Sequence, residues 1–344
     1  MELRTSRRFF IAAAACAVAA PPGRAAAALA SDDWTSWRTR FLADDGRVID
    51  TGNGNISHSE GQGIGLLLAA AMGDRARFDR IWDWTQASLR VRGDALFAWR
   101  WLPDSPHDRT PDRNNATDGD LFVAWALTRA SAKWHDARYV AEARRIAADM
   151  RAKLVRPLGG RAVLLPGEYG FVDGDRVTLN PSYWIYPALA VMNAIDPDPA
   201  WGALTASGLH FLRTVRFGAS GLPPDWFDVD GAAVAPSRRL APRFGYDAVR
   251  VPLYLAWAGL GREAPVAAAR RLWSAQAAGP PPAWIDLRSG ARSPEDAPPG
   301  FHAVARLIDR DRDADFPPVA AGDDYYSASL NMLARLAWRE TRMS

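Results

Sequence analysis

Three carboxylates in this sequence stand beside glycines where the apolar pattern of a helix begins. Glu60 lies in the segment SEGQG, Asp118 in ATDGD and Asp247 in GYDAVR. Each could simply cap a helix, because a carboxylate near a helix N-terminus accepts bonds from free N–H groups and suits the helix dipole. Glycines beside Glu60 would instead leave room for a bulky substrate. The recurrence of this pattern points to acid–base chemistry on such a substrate.

Aromatic residues accompany these carboxylates. The chain contains 15 tryptophans, several of them in predicted loops. A flat apolar ring suits the C–H face of a pyranose, while amides and arginine fix the orientation of hydroxyl groups. Tryptophans in mid-helix, such as Trp82 and Trp125, are expected in the core instead. The candidates for sugar contact are Asn55, Trp99, Trp101, Tyr183, Trp184, Tyr246 and Arg250.

Paired carboxylates facing a sugar cleft indicate hydrolysis of a glycosidic bond. One carboxyl protonates the leaving oxygen, and the other activates water or attacks the anomeric carbon. The two must therefore differ in protonation at one pH. A helix N-terminus favours the ionised form, which suits Asp247 as a base but opposes Glu60 as an acid. Burial and the like charge of Asp118 or Asp247 would have to offset that dipole.

The elements that must position these residues are predicted to be helices. Apolar residues recur at helical spacing while alternating runs are scarce, which gives about eleven helical segments and an all-α fold. Helix starts are predicted at Ser59, Asp74, Asp118, Asp136, Ser182 and Asp198. Short turns such as 72–74 alternate with long loops such as 92–117, so a closed ring of helical hairpins is expected. No low-complexity linker divides residues 31–344, and a single domain is predicted.

Residues 1–30 have the pattern of an export signal. A basic start is followed by an apolar, alanine-rich run and an A-x-A site, with a twin-arginine character at Arg7 and Arg8; an ordinary Sec signal is the alternative. Removing this segment takes four of the 42 basic residues and one of the 39 acidic ones, which leaves 38 of each. A neutral mature chain gives no reason to expect a nucleic-acid partner.

Several other classes of protein are disfavoured by the sequence. The only cysteine, Cys16, lies in the predicted signal, so the mature chain must rely on its core. No later apolar run is long enough to span a bilayer. The five histidines show no ligand spacing, and neither a metal nor an organic cofactor is expected. These observations predict a soluble monomer that is periplasmic or secreted.

The three carboxylate motifs, together with NPSYW at 180–184, resemble glycoside hydrolase family 8, and within it the endoglucanases that accompany bacterial cellulose synthases. The resemblance implies an (α/α)6 barrel of six inner and six outer helices, an inverting endo-β-1,4-glucanase and association with cellulose synthase machinery. By motif match, Glu60 is the general acid and Asp247 the base. An inverting enzyme needs no covalent nucleophile, so Asp118 is expected to hold the sugar. The acid and base carboxyls of such an enzyme lie about 6.5–9.5 Å apart.

Two alternatives stay open at this stage. The same family includes enzymes that act on xylan or chitosan, and Ile64 stands where many relatives carry an aromatic residue, so the subsites are not defined. A protein of another class, a polysaccharide-binding subunit of an export complex without catalysis, would be expected to lack the acid or the base. All three carboxylates are present in this chain, which favours the enzyme.

Overall fold

The computed structural model describes residues 31–274, 281–309 and 315–343 of the chain. The predicted export signal lies outside these residues. The described ranges contain eleven α-helices, which agrees with the number predicted from the sequence. They are α1 (Ser31–Phe41), α2 (Ser59–Met72), α3 (Arg75–Leu89), α4 (Thr117–Trp134), α5 (Ala137–Leu154), α6 (Tyr186–Ile195), α7 (Pro199–Thr214), α8 (Arg250–Trp257), α9 (Ala264–Ser274), α10 (Pro299–Asp309) and α11 (Tyr325–Met343).

The helices form a barrel of hairpins. Helices α2, α4, α6, α8 and α11 follow one another in an inner ring, which closes where α11 contacts α2. The other six helices pack outside this ring. The inner helix α2 is buried on nearly all sides, whereas the outer helix α5 buries one stripe: Tyr139, Ala143, Ile146, Ala147, Met150 and Leu154. The predicted all-α barrel of hairpins is confirmed, with five inner and six outer helices in the described residues.

Three of the six predicted helix starts are caps. Asp74, Asp136 and Asp198 each accept a hydrogen bond from a backbone N–H in the first turn of α3, α5 and α7. Ser182 lies in a 3-10 turn, Pro181–Tyr183, ahead of α6, which begins at Tyr186. Ser59 and Asp118 do not cap α2 and α4. They lie inside the first turns of α2 and α4, whose caps are His58 and Ala116.

Ten short strands lie in the connections between the described helices. They are β1 (Ser57–His58), β2 (Arg100–Trp101), β3 (Val155–Leu158), β4 (Arg161–Leu164), β5 (Val172–Asp173), β6 (Arg176–Leu179), β7 (Phe227–Asp230), β8 (Ala233–Pro236), β9 (Arg243–Phe244) and β10 (Ile285–Asp286). Four of them form an antiparallel sheet in the order β5-β6-β7-β8. Strands this short carry too little alternation to be seen in the sequence. β1 leads directly into α2, and β9 ends shortly before Asp247.

Two glycines allow α2 and α4 to approach closely. A Cβ atom at Gly63 would lie 2.5 Å from the Cβ of Phe122, and one at Gly119 would lie 2.1 Å from Ser59 Oγ and 2.7 Å from the backbone nitrogen of Glu60. No side chain fits at either position without movement of the opposite helix. Gly63 and Gly119 therefore serve helix packing and do not make room for a substrate.

We expect Gly119→Ala to destabilise the protein by about 1–3 kcal/mol, because the added methyl group overlaps the start of α2. Thermal unfolding monitored by circular dichroism measures this. Gly202→Ala in α7 is the matched control, since a Cβ there would meet nothing within 4 Å. That control should be neutral or stabilising by up to about 1 kcal/mol. Equal unfolding temperatures for both variants would contradict the close packing of α2 on α4.

The longest helix of the described ranges, α11, has 19 residues and carries several charged side chains in its second half. Within those ranges no helix combines the length and the apolar character that crossing a membrane requires.

Candidate active site

Glu60, Asp118 and Asp247 converge on the guanidinium group of Arg250. Arg250 Nη1 donates to Glu60 Oε1 and, at 3.3 Å, to Asp118 Oδ2. Its Nη2 donates to Asp247 Oδ1 at 2.5 Å. The starts of α2, α4 and α8 thus supply one cluster, and the structure brings together all four charged residues that the sequence singles out.

Asp247 lies in a different backbone setting from the one predicted. It belongs to a turn before α8, which begins at Arg250, and not to the first turn of that helix. The N–H of Arg250 bonds to the carbonyl oxygen of Asp247 at 3.1 Å, so the turn feeds directly into the helix. The indole nitrogen of Trp226 donates to Asp247 Oδ2 at 2.9 Å. Both carboxylate oxygens of Asp247 therefore have a fixed partner.

The cluster holds more negative than positive charge in a largely buried place. The side chains of Arg250 and Asp118 are only 6% and 4% exposed. Burial, followed by the negative charge of Glu60, raises the pKa of Asp118 to about 7, although Arg250 acts in the opposite direction. Below that pH Asp118 keeps a proton that it can donate to a hydroxyl group. This suits a residue that holds a sugar better than one that attacks it.

His58 fixes the turn from which Glu60 projects. Its Nδ1 accepts a hydrogen bond from the N–H of Gly61 at 2.9 Å, and its Nε2 lies 3.3 Å from Asp50 Oδ2. Because Nδ1 accepts, the ring proton is on Nε2 and is donated to Asp50. Burial would lower the pKa of His58, but the bond to Asp50 and the charge of Glu60 raise it above its usual value. Sequence reasoning missed this cap because histidine is not a typical cap residue.

A cavity of about 210 Å³ opens beside the carboxylates. Its walls are Asp50, Asn53, Ile56, His58, Ser59, Glu60, Trp99, Ala116, Asp118, Tyr183, Tyr325 and Tyr326. Trp99 and Tyr183 are sequence-predicted sugar contacts, and both line this cavity. Tyr325 and Tyr326 come from the start of α11 and were not predicted, since adjacent tyrosines at a helix start give no sign of which helix they will face.

Trp184 is placed elsewhere. Its side chain is 1% exposed and its indole nitrogen donates to the carbonyl oxygen of Leu204 at 3.1 Å. A Cβ at Gly208 would lie 2.4 Å from the indole, so α7 packs directly against the ring. Trp184 is therefore a core residue, which corrects the sugar contact predicted for it. Its neighbour Tyr183 lines the cavity because successive side chains in this turn point to different sides.

Trp101 is also separate from the cavity walls. It packs edge-on against Trp84, with a centroid distance of 5.6 Å. The guanidinium groups of Arg47 and Arg109 lie over its ring, 4.9 Å and 4.8 Å from the centroid. The ring is thus occupied by protein groups rather than facing the carboxylates.

Asn55 and Tyr246 lie outside the cavity lining. Asn55 is exposed, has a positive φ of 58° and bonds through its carbonyl oxygen to Arg47, while Asn53 lines the cavity instead. Tyr246 is exposed, packs against Phe301 with a centroid distance of 5.5 Å and accepts a bond from the Tyr326 hydroxyl through its carbonyl oxygen. Tyr246 is therefore tied to a wall residue of the cavity without facing the cluster.

The described residues offer weaker alternatives to this site. A larger cavity of about 850 Å³ lies between α9 and α10, but none of the three carboxylates that the sequence singles out is in its lining. Within those ranges no group of three or more His, Cys, Asp or Glu side chains is arranged to hold a metal ion.

The three carboxyl groups of this cluster can exchange protons with a ligand bound beside them. Glu60 and Asp247 bind different nitrogens of one guanidinium, and Asp118 lies beside them with a raised pKa. Such a set can donate a proton, accept one and hold a neutral polar ligand. The aromatic walls suit the apolar face of a sugar ring.

Comparison with known proteins agrees with this chemistry. The profile of "Glycosyl hydrolases family 8" matches residues 10–340. A "Probable endoglucanase" of Novacetimonas hansenii is 41% identical over 309 residues, which is 89% of this chain and 90% of the relative. An "Endoglucanase" of Cellulomonas uda is 40% identical over 280 residues, or 80% of this chain and 76% of the relative. The solved endo-beta-1,4-glucanase from Acetobacter xylinum superposes with a TM-score of 0.86 at 40% identity, covering 91% of this chain and 98% of that one.

Proposed function

This chain belongs to glycosyl hydrolase family 8, and from that membership we propose that it is an endo-acting β-1,4-glucanase with an inverting acid–base mechanism. The observation that carries the proposal is the convergence of Glu60, Asp118 and Asp247 on Arg250 beside an aromatic-walled cavity. Relatives that are about 40% identical over most of the chain have endoglucanase names, which favours glucan over xylan or chitosan.

In the proposed reaction Glu60 gives its proton to the glycosidic oxygen while that oxygen leaves the anomeric carbon. A water molecule attacks the same carbon from the opposite face, and Asp247 takes the proton that this water loses. Asp118 holds the sugar at the cleavage point by a hydrogen bond to a hydroxyl group. The products are two shorter chains, and a proton returns from Asp247 to Glu60 through solvent.

Arg250 sets a condition on this mechanism. In the substrate-free cleft it donates to Glu60 Oε1, and Glu60 cannot deliver a proton from that oxygen while the contact lasts. We therefore infer that glucan binding separates Glu60 from Arg250. The arginine then stays paired with Asp247, the proposed base, as a hydrogen-bond donor to its Oδ1.

A polymer panel tests the proposed function. We expect the purified mature chain to release reducing ends from carboxymethylcellulose and much less from xylan or chitosan. Viscosity should fall early, before many ends appear, because internal cuts shorten chains most. Proton NMR should show the α-anomer as the first product, since inversion converts the β-linkage. Preference for chitosan or xylan would overturn the substrate, and a β-anomer would overturn the mechanism.

Export and a role in cellulose biosynthesis complete the proposal. They rest on the sequence of residues 1–30 and on the resemblance to endoglucanases that accompany cellulose synthases. We propose a monomer that acts in the periplasm or outside the cell, on glucan emerging from the synthase. Fractionation of the native host would overturn this if the full-length chain remained in the cytoplasm.

A further inference from the structure

Asp225 is a buried carboxylate that binds the chain on both sides of Asp247. Its Oδ1 accepts hydrogen bonds from the N–H groups of Gly245 at 2.9 Å and Ala248 at 2.8 Å. Its Oδ2 accepts from Arg243 Nε at 3.2 Å, and its own N–H donates to the carbonyl oxygen of Arg243 at 2.6 Å. Four bonds from one residue thus hold residues 243–248, the segment that carries the proposed base.

Trp226 adds a fifth bond, to the carboxylate itself. Its indole N–H donates to Asp247 Oδ2 at 2.9 Å. The ring is held in turn, since it stacks on Phe171 with a centroid distance of 5.9 Å and an angle of 4° between planes. A donor on a fixed ring can aim a carboxylate, because the hydrogen bond is strong only over a narrow range of angles.

The backbone around this pair is stiff. Pro223 and Pro224 precede it, and their rings restrict the chain that leads to Asp225. Strand β7 of the four-stranded sheet begins at Phe227, directly after the pair. A Cβ atom at Gly245 would lie 3.0 Å from Asp225 Oδ2. The turn that carries Asp247 therefore packs closely on the Asp225 carboxylate. The pair is therefore anchored independently of the turn that it holds.

We propose that Asp225 and Trp226 are positioning residues for Asp247, with Asp225 fixing the backbone of its turn and Trp226 aiming one carboxylate oxygen. This inference rests on the proposed function, in which Asp247 takes the proton of the attacking water. If the turn relaxes, the carboxylate loses its alignment with that water while the sugar contacts remain. The effect should therefore fall on kcat rather than on KM.

The protonation state of Asp225 does not remove the contact. Burial, followed by the charge of Asp247, raises the pKa of Asp225 to about 7, so both forms are populated near neutral pH. A proton on Oδ2 leaves Oδ1 free to accept from Gly245 and Ala248 as before. Asparagine keeps the Oδ1 acceptor for Gly245 and Ala248 and loses only the bond from Arg243 Nε, which makes Asp225→Asn a conservative variant.

The experiment compares Asp225→Ala, Asp225→Asn and Trp226→Phe on a soluble glucan. We expect kcat to fall by about 10- to 100-fold in the alanine and phenylalanine variants, because misplacement of the base by a fraction of an ångström is costly. KM should change by less than about twofold in each. Asp225→Asn should restore kcat to near the wild-type value.

Two control variants make the same chemical changes elsewhere. Asp228→Ala removes a buried carboxylate that bonds to Thr178 and to the backbone of Arg238. Trp34→Phe removes an indole N–H that donates to Asp74 at 3.0 Å. Both should keep the wild-type kcat, whatever they do to the unfolding temperature.

The outcomes separate this proposal from the proposed function. If the wild-type chain cuts no polysaccharide, the function fails before any variant is compared. With an active wild type, unchanged kcat in Asp225→Ala and Trp226→Phe overturns the positioning role. So does a loss in Asp225→Ala that Asp225→Asn does not restore. If Asp225→Ala does not fold, Trp226→Phe decides, because a phenyl ring can still stack on Phe171 but has no N–H to donate to Asp247.

Discussion

Glu60→Gln is expected to lower kcat on a β-1,4-glucan by about 10²- to 10⁴-fold, the range for loss of a general acid. Glutamine has the shape of glutamate and can still bond to Arg250, but it has no proton to give to the leaving oxygen. Binding of cellohexaose, measured by isothermal titration calorimetry, should stay close to that of the wild-type chain. Initial rates of reducing-end release measure the loss.

A substrate whose leaving group needs no protonation tests the acid role of Glu60 specifically. Fluoride leaves as an anion, so hydrolysis of a cellobiosyl fluoride should suffer far less in Glu60→Gln than hydrolysis of glucan. Glu142→Gln is the matched control, because Glu142 is also paired with an arginine, Arg90, but lies on α5. A Glu60→Gln variant that cuts glucan at the wild-type rate would show that Glu60 is not the acid.

Asp247→Asn is expected to lower kcat by a similar factor of about 10²–10⁴, because asparagine cannot take the proton of the attacking water. Its amide oxygen can still accept from Arg250 or Trp226, so the shape of the cleft and the affinity for cellohexaose should survive. The cellobiosyl fluoride should not restore turnover in this variant, since no base activates the attacking water. The contrast between the two variants on the same fluoride identifies which residue is the acid and which is the base.

Asp196→Asn is a close control for Asp247→Asn. Asp196 also accepts from an indole, that of Trp201 at 3.2 Å, and from an arginine, Arg151, at 2.9 Å. It lies between α6 and α7, away from the cleft. We expect this variant to keep wild-type turnover. Equal losses at Asp196 and Asp247 would mean that such networks matter for stability alone, and the base would have to be sought elsewhere.

The charged residues of the site were predictable because each stands in a short glycine-containing motif at a helix start. Their convergence fits the predicted ring of hairpins, since inner helices of such a ring begin on the same face. Trp184 shows the limit of this reasoning. Tyr183 and Trp184 are adjacent, and only the packing of α7 on one of them decides which ring is buried.

The supporting residues could not be read from the sequence. Asp225 accepts a hydrogen bond from the N–H of Ala248, which lies 23 residues later in the chain, and the segment around Asp225 has no periodic pattern. His58 caps α2 although its residue type rarely does so, and its partner Asp50 comes from the preceding loop. These contacts are decided by tertiary packing, which a motif of five or six residues does not encode. The single domain predicted for residues 31–344 stays a prediction.

The hydrogen bond between Glu60 and Arg250 spans 190 residues of chain. No local segment can hold these groups together, so they meet only after α2, α4 and α8 have taken their places in the ring. Glucan cleavage is therefore a reporter of completed assembly. During refolding of a chain of this size, native-like secondary structure forms before tertiary packing is complete, so the helical signal should return before cleavage does. A fragment that ends before α8 would contain the proton donor without its counter-charge.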